Sequence, residues 1–314
     1  MPVSDMEMRD AFFNALYAAA RKDRRIMLLS DDFGAPSLDK FRADLPDQYI
    51  NIGIAEQNMI SVAAGLSLEG KIVFSYAIAP FITLRCYEQI KIDLCTMNLP
   101  VTLLGVGAGY GYDTAGPTHH AIEDISIMRV LPNMTILCPS TAGMAAECVE
   151  LACSIPEPKY IRLERGKFPS LYSGKIPLAN GFAELKKGSD VSLVATGMMT
   201  HVAIEVATVL HQHAINAGVI DLYRIKPISD IFYENIIDKA KRLVTLEEHL
   251  ITGGIGSLVA EIIADNNSRT PLKRFGIRED ICFQYAKRKY LHALCNIDAD
   301  SISDTIINWI KDED

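Results

Sequence analysis

The feature that most limits how this chain can fold is a repeated alternation of short apolar runs with longer segments of helical spacing. "IMLLS" (Ile26–Ser30), "KIVFSYAI" (Lys71–Ile78), "VTLLGV" (Val101–Val106), "TILCPS" (Thr135–Ser140) and "KYIRLE" (Lys159–Glu164) read as strands. Apolar runs of this kind, each followed by a helix, predict a mostly parallel sheet covered on both faces. Helices are expected over 55–69, 80–97, 121–129 and 141–154, and Gly70 stops the first of these. A further helix follows "SDME" (Ser4–Glu7), which has the spacing of a capping box, because Phe12, Leu16 and Ala20 then recur every four residues.

The alternation lapses through "GKFPSLYSGKIPLANGFAELKKG" (Gly166–Gly188), a stretch rich in Gly, Pro and Ser. It resumes with "VSLVATG", a helix over 200–213, "AGVIDLYRI", a helix over 230–240, "RLVTLEE", a helix over 254–264 and "LKRFGI". The expected architecture is α/β with two domains, each a mostly parallel sheet flanked by helices. Their expected bounds are 1–170 and 189–314, with a linker over 171–188.

Charge and composition remove several classes of function. A net charge of −8 offers no basic surface for a nucleic-acid backbone. The longest uncharged stretch, Leu94–Tyr112, is broken by Asn, Pro and Gly and does not read as a membrane span. The first residues lack a basic region followed by an apolar run, so no signal peptide is expected. The seven cysteines lie among apolar neighbours with no C-x-x-C pair, which fits reduced thiols in the cytoplasm.

One carboxylate stands out. In "NIGIAEQNMI" (Asn51–Ile60), Glu56 sits among Ile54, Ala55, Met59 and Ile60, with no Lys or Arg within ten residues on either side. Burying a carboxylate without a partner is costly, so Glu56 calls for a function. The loop "GVGAGYGYDTAGPTHH" (Gly105–His120) follows a strand but runs through Pro117 before a helix begins. It therefore lacks the form of a dinucleotide fingerprint, and its glycines instead let the backbone approach something closely. His119 and His120 close that loop, where open α/β sheets bind ligands; a half-exposed pair at a helix start is the competing reading. "EEH" (Glu247–His249) before "GGIG" (Gly253–Gly256) reads as an interface or turn element ahead of a ligand site. No G-x-S-x-G elbow supports esterase chemistry, and no His/Cys cluster marks a metal site.

Taken in order, "NIGIAEQNM", "AGPTHHAIEDISIMRVLPNMTILCPS", "YIRLERG" and "VSLVATG…VIDLYRIKPIS…VTLEEH…GGIGS" resemble the pyrimidine-binding and C-terminal domains of transketolase, across about residues 7–310. The resemblance implies thiamin diphosphate as cofactor. It aligns Glu56 with the glutamate that touches N1′ of the aminopyrimidine, where a shared proton favours the imino tautomer and so deprotonation of the thiazolium carbon. Apolar walls raise the proton affinity of such a group, while the helix dipole opposes this. The resemblance makes His119 the active-site histidine of the "GPTH" segment and Phe81 the aromatic that stacks on the pyrimidine, with core packing as the competing reading for Phe81. Asp32 and Phe33 match the pair beside the thiazolium, and a one-residue shift would make the first Asp31. Arg165 matches an arginine that binds a sugar phosphate, and Arg9 a second.

There are departures. Where transketolases carry an Asp just before "GPTH" this chain has Ala115, and where they carry a His eight residues earlier it has Gly107. A phosphate-binding Ser near Ala35 or Pro36 is replaced at best by Ser37. The ketol-transfer residues are thus retained while substrate contacts differ. The family's Gly-Asp-Gly segment and downstream Asn, which hold Mg²⁺ on the diphosphate, are missing. The resemblance therefore implies one half of a split enzyme. An N-terminal, diphosphate-binding subunit would bring the Mg²⁺ site in an α₂β₂ assembly, acting on a small sugar. The alternatives are a beta subunit of a 2-oxo-acid dehydrogenase or deoxyxylulose-phosphate-synthase-like enzyme, which decarboxylates its donor, and a non-catalytic scaffold.

Overall fold

A computed structural model of the chain describes residues 3, 6–32, 34–279 and 281–313. Ser4 of the capping-box reading and Phe33 lie outside the described residues. The strands, in chain order, are β1 (Ile26–Ser30), β2 (Tyr49–Asn51), β3 (Ile72–Ile78), β4 (Thr102–Val106), β5 (Thr135–Leu137), β6 (Lys159–Leu163), β7 (Phe182–Lys186), β8 (Val191–Ala195), β9 (Ala217–Leu222), β10 (Arg224–Lys226), β11 (Leu243–Leu250) and β12 (Leu272–Ile277). Among the described residues they form a seven-stranded sheet in the order β10-β5-β6-β4-β3-β1-β2 and a five-stranded sheet in the order β12-β11-β8-β9-β7. All pairings are parallel except β10 with β5 and β7 with β9.

The first sheet is apolar on both faces because successive strand residues point to opposite sides. Met27, Leu29, Val73 and Leu103 enter one core; Ile26, Leu28, Phe74 and Leu104 enter the other. A third core, around Leu193, Val219, Leu246 and Ile306, fills one side of the second sheet. The helix Glu56–Leu68 covers the first of these cores with Met59, Ile60 and Ala63. No helix among the described residues is long and apolar enough to cross a membrane.

Four segments differ from the sequence expectation. The helix expected over 80–97 is broken: Ala79–Thr83 is α-helical, residues 84–86 turn, Tyr87–Gln89 resumes, and Ile90–Thr96 winds as a π-helix. Ile82, Cys86, Ile90 and Leu94 are all buried, so a four-residue apolar repeat runs through the break and imitates one continuous helix. The helix expected over 230–240 is reduced to a π-helical turn at Tyr233–Ile237. "AGVIDLYRI" is two strands: β9 stays in the second sheet, and β10 crosses to the edge of the first. The stretch expected to be a linker contains β7, an edge strand whose alternating burial hides it from a search for apolar runs. Helices at Pro36–Asp44, Arg288–Leu294 and Ala299–Glu313 complete the chain.

The stretch between the sheets is anchored by a buried carboxylate. Asp221, on β9, accepts hydrogen bonds from the hydroxyls of Ser140 (2.5 Å), Tyr172 (2.6 Å) and Thr200 (3.0 Å). One carboxylate thus ties the loop after β5, the connecting stretch and the helix Met199–Gln212 together. Burial pushes the Asp221 carboxyl up to about 6, against the pull of the three hydroxyls. A raised carboxyl favours the fold most in its neutral form. Its contribution is complete below the ordinary carboxylate range and is lost as pH rises through about 6. We expect Asp221→Asn, which the hydroxyls can match by reversing their donors, to gain on wild type as pH is raised from 4.5 to 7.5. The gain should approach roughly 2–3 kcal/mol, read from thermal melts at both pH values.

Candidate active site

The parallel strands of the first sheet end on one side, and the loops that leave them carry the candidate residues. Helix Glu56–Leu68 starts with Glu56, whose side chain is buried at the mouth of a cavity of about 270 Å³. Asp31, Asp32, Ile54, Ile78, Phe81 and Arg85 complete its lining. Asp31 is buried at the end of β1; Asp32 is exposed, has φ +67°, and accepts a hydrogen bond from the Asn51 amide at 2.9 Å. Both candidates for the family aspartate therefore reach the cavity. Phe81 is half-buried and lines it.

Glu56 is not without a cation. Arg85 Nη1 donates to Glu56 Oε1 at 2.5 Å, and the guanidinium lies 4.3 Å from the Phe81 ring centroid. Arg85 escapes a search of ten residues either side of Glu56, because the contact spans 29 positions. The signal lay at a shorter spacing: Arg85 follows Phe81 by four, the interval at which two side chains on a helical turn meet.

Contacts continue from Phe81 in a chain. Its ring meets His119 edge-on at 5.1 Å, and His119 lies 5.9 Å from the ring of Tyr112. Arg165, at the end of β6, sits 4.4 Å from the Tyr112 ring centroid. Burial lowers the proton affinity of His119 and raises that of the Tyr112 hydroxyl, while Arg165 and Arg9 pull Tyr112 the other way. Arg9 joins through Tyr76, whose buried hydroxyl it meets, and is held by Asp10 at 3.2 Å. The structure thus links Glu56, Phe81, His119, Arg165 and Arg9 through Arg85, Tyr76 and Tyr112. His120 is turned away, buried edge-on against Tyr110 at 4.8 Å. Among the described residues no group of three or more His, Cys, Asp or Glu is arranged to hold a metal.

The glycine-rich loop approaches two groups closely, as expected. A Cβ on Gly107, at φ +88°, would stand 2.2 Å from the Tyr112 ring, and one on Gly109 would meet the Glu248 carboxylate at 1.9 Å. "EEH" is buried structure. Arg288 and His292 both bond the Glu248 carboxylate, and Arg288 also reaches Glu164 at 2.6 Å. Burial works against the charge on Glu248, yet Arg288 and His292 hold its carboxyl well below the ordinary range. Glu247 accepts hydrogen bonds from Ile255 N (2.7 Å) and Gly256 N (2.9 Å) at the start of a helix; burial pushes its carboxyl up to about 8.

Residues 4–170 match the transketolase pyrimidine binding domain, and residues 182–302 match the transketolase C-terminal domain. The chain belongs to the transketolase family. It is 34% identical over 284 residues to one subunit of the apulose-4-phosphate transketolase of Actinobacillus succinogenes, covering 90% of this chain and 91% of that one. It is 35% identical to the 1-deoxy-D-xylulose-5-phosphate synthase of Crocosphaera subtropica, covering 86% of this chain but 43% of the synthase. Among solved structures, a split-gene transketolase described as an inactive β4 tetramer superposes with a TM-score of 0.87 at 33% identity, covering 98% of this chain and 99% of that one.

Gly107 and Tyr112 form a testable pair. We expect Gly107→Ala to destabilise by more than about 1 kcal/mol, because the methyl overlaps the ring and the left-handed backbone disfavours it. Adding Tyr112→Ala should recover the steric share only. Denaturant melts of both single variants and the double would show whether the pair is non-additive.

Proposed function

We propose that this chain is the pyrimidine-binding half of a thiamin-diphosphate-dependent transketolase that works as two polypeptides in the cytoplasm. It would move a two-carbon ketol unit from a ketose, phosphorylated or otherwise activated, to an aldehyde. The observation that carries this reading is the pairing of buried Glu56 with the ring of Phe81 across one small cavity. A planar N–H-bearing guanidinium already satisfies both groups there, so carboxylate and ring together suit a flat nitrogen heterocycle.

When bound, thiamin diphosphate supplies a nucleophilic carbon and an electron sink. Glu56 would hold or share a proton at N1′ of the aminopyrimidine. Phe81 would carry the ring's face, and Ile54 and Ile78 would line the cavity with apolar surface. Asp32, with Asp31 beside it, would lie on the thiazolium side. His119 would hydrogen-bond a substrate oxygen, and its lowered proton affinity favours a neutral ring able to accept or donate. Arg165 and Arg9 would bind an anionic end of the sugar. Mg²⁺ ligands would come from an N-terminal, diphosphate-binding subunit in an α₂β₂ assembly, with residues 1–170 and 189–314 as the two units of this chain.

The relatives support a ketol transferase whose substrates depart from the usual pentose phosphates, as do Ala115 and Gly107. The identity to a deoxyxylulose-phosphate synthase supports a second reading, decarboxylation of a 2-oxo acid. Release of CO₂ from pyruvate by the assembled pair would favour that second reading. A scaffold would have no use for Glu56, His119 and Arg165 in one connected site.

Two outcomes are expected. The isolated chain should bind thiamin diphosphate weakly, since it supplies pyrimidine contacts but not those to Mg²⁺ and diphosphate; submicromolar binding by calorimetry without a partner would contradict the split-site reading. In the assembled pair, Glu56→Gln should slow hydrogen–deuterium exchange at the thiazolium carbon and turnover by on the order of 10²–10⁴-fold. Stability should change by less than ~1 kcal/mol, because the lost ion pair is with a half-exposed arginine. A stable variant with wild-type exchange would remove Glu56 from the chemistry.

A further inference from the structure

Arg85 makes two contacts at once. Its Nη1 donates to Glu56 Oε1 at 2.5 Å, while the central carbon of its guanidinium lies over Phe81, 4.3 Å from the ring centroid. A flat, cationic N–H donor therefore rests on the aromatic ring and against the carboxylate. Those are the two surfaces on which the functional reading seats the aminopyrimidine. Both belong to one cavity of about 270 Å³, so guanidinium and heterocycle compete for one place.

The backbone allows Arg85 to leave. It lies in the turn at 84–86, between two helical pieces, where its neighbour Cys86 is buried in the core and holds the turn in place. The Arg85 side chain is 43% exposed, whereas that of Glu56 is 3% exposed, so the arginine has the open route and the glutamate does not. We propose that Arg85 is a positioning residue that holds Glu56 and covers Phe81 until thiamin diphosphate enters, then swings outward; this rests on the functional reading above. Arg85 thereby keeps a buried carboxylate compensated before loading, and gives way to a ligand that makes the same two contacts.

The interactions to be displaced are weak ones. A half-exposed ion pair and a cation–π contact together correspond to roughly tenfold in affinity. The test is calorimetric titration of thiamin diphosphate, with Mg²⁺, into the full chain co-expressed with its diphosphate-binding partner. Wild type, Arg85→Met and Arg85→Lys would be compared, with melting temperatures as the folding control. Arg85→Met fills similar space without charge or N–H donors and should bind the cofactor about tenfold tighter. Arg85→Lys keeps a charge beside Glu56 but offers no planar face to Phe81, and should fall between the two. A purely structural arginine would not give a gain in affinity on truncation. Weaker or unchanged binding by Arg85→Met, with Arg85→Lys following wild type, would overturn the proposal while leaving the functional reading intact. Failure of the wild-type pair to bind the cofactor would overturn the functional reading itself.

Discussion

The buried bonding of Arg288 to Glu248 and Glu164 is the interaction on which the placement of the site depends. Glu248 lies within β11 of the second sheet, Glu164 follows β6 of the first, and Arg288 comes from the C-terminal part of the chain. Such a cluster adds little net stability, since desolvation consumes most of the Coulombic gain, but each charge is intolerant of losing its partner. It therefore fixes one relative position of three distant segments. The glycine-rich loop is pressed directly onto it: Gly109 has no room for a Cβ above the Glu248 carboxylate, and Asp113 accepts from Arg288 N at 3.0 Å. Arg162 adds a second clamp, paired with Asp124 and donating to the carbonyls of Ala121 and Glu248. His119 rides on a loop held at both ends by these groups.

The same arrangement explains why the connecting stretch is not a free tether. β10 leaves the second sheet to become an edge of the first, and Asp221 gathers three hydroxyls from separate segments around one buried carboxylate. Mutual dependence of this kind favours one cooperative arrangement over two units that move independently.

What could be read in the sequence follows from locality. Most of the parallel strands were legible because both of their faces are buried, and uniform burial leaves a run that needs no partner to be noticed; β2, parallel but only part-buried at the sheet edge, was not. β7 was not, because an edge strand with alternating burial looks like a polar connector. The break at 84–86 was hidden because the apolar repeat of Ile82, Cys86, Ile90 and Leu94 survives it. Glu56 and His119 stood out as candidates through short motifs tied to loops at strand ends. Arg85 and Tyr112 did not, since their places arise from contacts between elements: Arg85 reaches a helix start 29 residues earlier, and Tyr112 lies between a loop histidine and an arginine after β6. Ala299–Glu313 is a different case. Ile302, Ile306 and Ile310 repeat at helical spacing and are all buried, so its signal was present and simply unread.

The site also has an electrical direction that no single motif conveys. At one end Glu56, Asp31 and Asp32 gather three carboxylates around a small cavity, with Arg85 as the adjacent cation. At the other end Arg9 and Arg165 approach Tyr112. Between them lie Phe81, His119 and the Tyr112 ring, which hold the two ends apart with low-polarity surface. The basic end lies beyond the lining of that cavity and is itself partly paired, since Arg9 meets Glu7 at 3.7 Å and Asp10 at 3.2 Å, so the aromatic rings separate two locally compensated groups of charges.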